Sequence, residues 1–143
     1  MAHVQRSVVA LRIFGDDLAP DEITKLLGVS STASEVKGDK IVGRKTGHIR
    51  IARTGSWRLH AADREPEDMD SQIQEILNQA THDLAVWRSI GKRYQVDMFC
   101  GIFLGGSNEG MTLSSASLSA LGDRGIELGL DIYSGYDDEE SIA

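Results

Sequence analysis

The sequence predicts an α+β protein, a two-layer sandwich with helices on one face of a largely antiparallel sheet. Three observations lead there. Segments of period-two hydrophobicity interleave with segments of period 3.6. From Ser7 to Leu104 they run strand, helix, strand, strand, helix, strand, the ferredoxin-like order (βαββαβ), with an αβ extension behind it. The strands alternate apolar with polar residues, as a sheet with one covered and one open face requires.

The first strand is Ser7–Phe14, with Val9, Leu11 and Ile13 on one face. Pro20 suits the first position of a helix, where its missing N–H has no partner to lose. Asp21 and Glu22 favour the positive end of the helix dipole and Gly28 supplies a left-handed stop, so the helix is Pro20–Leu27. A structureless loop as long as the polar Val29–Gly47 stretch is uncommon in a compact domain, so the stretch is either functional or hides a short strand, for which Ile41-Val42 is the candidate. A hairpin is expected over His48–Ala62. A three-residue loop, Thr54-Gly55-Ser56, places Ile51 opposite Leu59 and Arg50 opposite His60, keeping one face apolar.

Ile73, Ile76, Leu77, Ala80, Leu84, Trp87 and Ile90 recur at helical spacing and predict one long helix, capped by Asp70 or Asp68 and running to about Lys92. Tyr94–Leu104 is the longest strand; Tyr94, Val96, Met98, Cys100, Ile102 and Leu104 share its inner face. A turn follows at Gly105–Asn108, with a short strand at Met111–Leu113 and a helix over Ser115–Arg124. The last strand, Ile126–Tyr133, points Ile126, Leu128, Leu130 and Ile132 inward. The chain of 143 residues reads as a single domain, with a folded core over 7–133 and a frayed acidic tail over 134–143.

Composition excludes several classes. No run approaches the ~18–20 apolar residues of a membrane span. Met1–Ser7 shows no export signal, and the single Cys100 cannot form an internal disulfide; a cytoplasmic protein is expected. A net charge of −7 and a pI near 5.0 speak against nucleic acid as partner.

Catalytic motifs fail one by one. Gly38–Thr46 resembles a phosphate-binding loop, but has one residue too many before Lys45 and precedes a strand instead of a helix. His48 and His60 share a face of the expected hairpin, yet no third or fourth metal ligand has the right spacing. Cys100 falls in a buried alternation and reads as inert. No catalytic residue, metal ligand or cofactor is assigned.

Charge is distributed unevenly. Residues 37–64 hold eight of the fifteen lysines and arginines and only two acids, leaving that segment at +6 and the rest at −13. The expected hairpin crowds Arg50, Arg58 and His60 on one face, and like charges placed together are costly without a partner. Asp97, Glu127, Asp131 and Glu109 are carboxylates that could neutralise them. The other reading is an anion or acidic-partner site built from Lys45, Arg50, Arg58 and His60. Glycines in strand interiors mark close approach of a ligand or backbone, or a local twist. On the same face, Asp97, Phe99, Gly101, Gly129 and Asp131 would then line a shallow groove.

The run Ile13-Phe14-Gly15-Asp16-Asp17-Leu18-Ala19-Pro20 through Leu27-Gly28 resembles a bacterial family, domain of unknown function 4279. Lys37-Gly38-Asp39, Gly55-Ser56-Trp57 with Leu59, Cys100-Gly101-Ile102, Leu113-Ser114 and Leu130-Asp131-Ile132-Tyr133 are similar to it too. The resemblance spans about Val9–Tyr133 and implies an intact fold and a bacterial cytoplasmic setting, without an activity. The expected function is a non-catalytic binding module for an anionic small molecule or an acidic protein, an inhibitor or immunity-type partner being one form. One alternative is a small enzyme pairing His60 with Asp97 or Asp131. Another is a homo-oligomer whose sheet faces or edges pair, with Phe99 and Phe103 at its centre.

Overall fold

The alternation of Val9, Leu11 and Ile13 becomes the central strand of the structure, a computed structural model that describes residues 4–134. Strand β1 (Arg6–Gly15) is followed by α1 (Pro20–Leu27), β2 (Ala33–Glu35), β3 (Lys40–Val42), β4 (Ile49–Ile51) and β5 (Gly55–His60). Then come α2 (Met69–Gln79), α3 (Leu84–Arg93), β6 (Gln95–Phe103), α4 (Ser115–Asp123) and β7 (Glu127–Tyr133). Five strands form one sheet in the order β2-β5-β1-β6-β7, while β3 and β4 form a separate two-stranded sheet. The fold is α+β, but the sheet is mixed: β7 runs parallel to β6, and the other neighbours are antiparallel. The parallel pair arises because α4 carries the chain back before β7 begins.

Helix residues Ile23, Leu27, Ile73, Ile76, Leu77, Trp87, Ile90 and Leu121 join Val9, Leu11, Ile13, Trp57, Leu59, Met98, Cys100 and Ile102 in one buried core. All four helices therefore cover the same sheet face. Trp57 is fully buried, its indole N–H donating to Thr24 Oγ1 at 3.1 Å. Helix α1 has the expected limits, Gly28 closing it at φ 74° with its N–H donating to the Thr24 carbonyl.

The hairpin expected over His48–Ala62 does not form. β4 pairs instead with β3, Lys40 opposite Ile51 and Val42 opposite Ile49, so the Ile41-Val42 strand is real and its partner is β4. β5 departs to lie between β1 and β2. Gly55 is where they separate, and its role is close packing: a Cβ there would stand 2.8 Å from the Gly15 carbonyl and 3.0 Å from Leu18 Cβ. A local reading of Thr54-Gly55-Ser56 sees a turn, whereas the glycine serves the β1–β5 contact. His60 consequently ends β5 of the main sheet, whereas His48 lies in the connection just before β4 of the separate one.

The single long helix also gives way to two. Ala80 is extended, and the Thr81 N–H donates to the Leu27 carbonyl at 2.8 Å. The Trp87 indole N–H reaches the Thr81 carbonyl at 2.8 Å, and the Asp83 carboxylate restarts the helix by accepting from Ala85 N–H. Met111–Leu113 is not a strand; Met111 and Leu113 pack partly buried against the core. Of the residues expected inward at the last strand, Ile126, just ahead of β7, is buried and Leu128 packs partly buried against the core, whereas Leu130 and Ile132 stand exposed because none of the described helices covers the end of the strand. The tail beyond residue 134 lies outside the described residues. Among those described, no helix is long and apolar enough to cross a membrane.

Candidate functional site

The face away from the helices carries a row of charges. Register places Arg58 opposite Arg12, Arg12 opposite Asp97, and Asp97 opposite Glu127. Two cations on β5 and β1 thus meet two anions on β6 and β7. Its centre is closed electrostatically: Arg12 Nε and Nη2 donate to the two Asp97 oxygens at 2.9 and 2.7 Å, a bidentate fork. The Asp97 hydrogen bond raises the Arg12 pKa above its ordinary value, against the opposing effect of burial. Phe14 and Phe99 sandwich this guanidinium, at 5.1 and 4.5 Å from its carbon to the ring centroids.

The β5 side is less well satisfied. Glu35 on β2 lies on the open face with its side chain only 17% exposed, and it receives two arginines. Arg50 Nη2, from β4, donates to Glu35 Oε1 at 2.7 Å. Arg58 Nη2 approaches the same oxygen at 3.6 Å, an ion pair too long for a hydrogen bond. The Arg58 guanidinium makes no side-chain hydrogen bond among the described residues, although its side chain is 34% exposed and its Nε is buried. These groups, with Phe14, Ile51, Arg53, Thr54 and Ser56, line a cleft of about 710 Å³ between the β3–β4 hairpin and the sheet. Three guanidinium groups and one carboxylate leave the cleft cationic.

Of the expected site residues, Arg50 and Arg58 come together, by a route other than the hairpin: each reaches Glu35 from its own sheet. Lys45 lies in the exposed turn joining β3 and β4, outside the cleft lining. His60 ends β5 opposite Ala10, one row beyond the Arg58–Arg12 row on this face, and is also outside the cleft lining. Its imidazole makes no hydrogen bond to a carboxylate among the described residues. Burial and then the Arg58 charge lower its pKa, with Asp63 opposing them.

The expected groove residues are neighbours by register, Phe99 opposite Gly129 and Gly101 opposite Asp131. The space over Gly101 is occupied by Phe103, whose Cε2 would stand 3.5 Å from a Cβ at that position. Phe103 itself stacks on Tyr133, with centroids 4.7 Å apart and planes 8° from parallel, and Arg6 lies over it. Asp131 accepts from Tyr133 Oη at 2.6 Å, and Glu109 accepts from the Gly105 and Gly106 N–H groups. The carboxylates thought to offset the basic cluster are therefore engaged elsewhere, apart from Glu127. Residues that sequence reasoning missed are Glu35, Arg12 and Arg53. Arg12 carried a readable signal, as the one charge within the apolar run Val8–Phe14.

Cys100 is free and buried, and desolvation followed by the Asp97 charge pushes its thiol up to about 12, far from nucleophilic use. No group of three or more His, Cys, Asp and Glu among the described residues could hold a metal ion.

A family model described as Domain of unknown function (DUF4279) matches residues 4–135. The chain belongs to that family, which covers the whole sheet and all four helices. Comparison with curated proteins and with solved structures finds no match.

Proposed function

We propose that this protein is a non-catalytic binding module whose cleft takes a carboxylate or phosphate group between Arg50 and Arg58. The observation that carries the reading is the Arg58 guanidinium, held at the cleft without a hydrogen bond among the described residues while Arg50 and Arg58 share one carboxylate. An anion lying between them would accept from donors that Glu35 leaves unmatched, and Arg53 adds charge to the lining. Phe14 and Ile51 offer apolar contact for the rest of such a ligand. Val42, Ile49 and Ile51 are each more than half exposed on the hairpin and favour a second reading, an acidic protein partner that covers the hairpin as well. The free cysteine fits a reducing, cytoplasmic setting.

The fold reading that goes with this takes β1, β2, β5 and β6 as the ferredoxin-like frame. Support comes from their spatial order β2-β5-β1-β6 and wholly antiparallel pairing, with β3–β4 inserted and α4–β7 appended.

The test is calorimetric titration with inorganic phosphate, phenyl phosphate and benzoate at two salt concentrations. Saturable binding is expected, strongest for the probes with a ring, and lost in the Arg50→Glu/Arg58→Glu variant with its melting temperature little changed. Equal binding by that variant, or none by the wild type, sinks the small-anion reading.

A further inference from the structure

We propose that the protein forms a two-fold dimer by antiparallel pairing of β7 with β7 of a second copy. β7 is an edge strand, and the two residues that should have been its inner face, Leu130 and Ile132, are 51% and 59% exposed. Leu118 on α4 is 52% exposed. Leu130 and Ile132 sit opposite Cys100 and Ile102 in register, both of which are core residues. The apolar layer between sheet and helices therefore continues to the rim of the described residues, none of which covers it there.

The backbone says how a partner would attach. The Leu104 N–H donates to the Tyr133 carbonyl at 2.9 Å, so Tyr133 and the residues in phase with it turn their polar groups toward β6. Leu128, Leu130 and Ile132, out of phase, turn theirs to the outer edge, ready to bond an added strand. A two-fold axis through Leu130 makes it a hydrogen-bonded pair with its own copy, and pairs Leu128 with Ile132 on either side. All seven residues of β7 then take part; shifting the axis by two residues shortens the paired segment.

The same register chooses the occupant. On the helix side, Leu128 meets Ile132, Leu130 meets Leu130, and Ile132 meets Leu128, joining the two uncovered layers into one. On the open face, Glu127 meets Tyr133 and Asp131 meets Gly129, so no two carboxylates lie directly opposite. The strand is self-complementary in both side-chain pattern and backbone phase, as an isologous interface requires. None of these residues belongs to the arginine cleft, so the proposal stands independently of the anion reading.

The experiment is sedimentation velocity on the full chain over a dilution series, repeated for Leu130→Lys/Ile132→Lys and for Ile49→Lys on the hairpin. Leu130 and Ile132 are exposed, so their variant keeps the fold, checked by an unchanged circular dichroism spectrum. A dimer is expected in the wild type and Ile49→Lys, with dissociation of the β7 variant at least about tenfold easier. A wild-type monomer throughout overturns the proposal. So does a dimer that survives the β7 substitutions, or one that only Ile49→Lys disrupts.

Discussion

Removing an acid from the cleft should strengthen anion binding, and the size of the gain follows from where Glu35 sits. Its Oε1 is 2.7 Å from Arg50 Nη2 and 3.6 Å from Arg58 Nη2, so an anion bridging the two arginines would lie about 5 Å from the carboxylate. Two unit charges at about 5 Å repel by about 1–2 kcal/mol at an effective dielectric of roughly 30–60, between the protein-surface and bulk-water limits. Glu35→Gln keeps the shape and deletes the charge, so phenyl phosphate should bind about 5–30-fold more tightly. The gain should shrink at about 0.5 M salt, where screening acts within a few ångströms. Stability should change by no more than about 1 kcal/mol, since Arg50 is largely exposed and ion pairs of that kind contribute little. The assay is paired titration of wild type and variant at low and high salt, with a melting curve for each. Weaker or equal binding by a folded Glu35→Gln protein would refute the reasoning, and would mean that Glu35 positions the arginines instead of competing for them.

The buried pair Ser7–Gln72 should behave in the opposite sense, as structure without exchange. Gln72 Nε2 donates to the Ser7 and Ala62 carbonyls at 3.0 and 2.9 Å, and Gln72 Oε1 accepts from Ser7 Oγ, which in turn accepts from Asp68 N–H. Gln72→Leu leaves the Ala62 carbonyl and the Ser7 hydroxyl without these partners, and should cost about 2–4 kcal/mol in urea unfolding; a loss under about 1 kcal/mol would contradict it. His60 carries the pH expectation. Its pKa is lowered in the folded protein by burial and Arg58, so below the ordinary value near 6.5 the unfolded chain takes up the proton first. The stability tied to neutral His60 is present above that value and lost as pH falls below it. His60→Gln should flatten the stability–pH slope in that acid window, measured by urea midpoints, and an unchanged slope would remove the effect.

What was legible in the sequence was mainly what local chemistry decides. Pro20 and Gly28 bracket α1 to the residue, and the alternation Met98, Cys100, Ile102 fixes the buried face of β6, because each signal lies within the element itself. The errors came where a distant neighbour decides. Gly55 looks like a turn glycine, but Gly15 and Leu18 crowd it into a strand. Leu84 keeps helical phase with Ile73 and Trp87, yet the chain breaks at Ala80–Asp83, where the Thr81 N–H bonds the carbonyl of Leu27, a residue outside the local pattern, and the Trp87 indole bonds the Thr81 carbonyl. Leu130 and Ile132 alternate correctly and are still exposed, since alternation names a face and says nothing about what covers it. At the site, clustering of charge singled out Arg50 and Arg58, whereas Glu35 was invisible as their shared partner because it lies on a third strand.

The charged row across the open face ties the two proposed interaction surfaces together. Arg58 faces Arg12, and Arg12 is already matched by Asp97, so the β5 side keeps an excess of positive charge beside the cleft. Asp97 faces Glu127, and Asp131 follows on the same strand, so the β7 side is negative. An anion would therefore be drawn to one flank of the sheet, while two copies meeting along β7 would bring like charge together at the other. Salt screens both, with opposite consequences. Added salt weakens phosphate binding at Arg50 and Arg58 and strengthens β7 pairing, where apolar contact between Leu128, Leu130 and Ile132 holds against repulsion. If both surfaces weaken together as salt rises, the β7 pairing is not the apolar contact described, and charge attraction elsewhere is joining the copies.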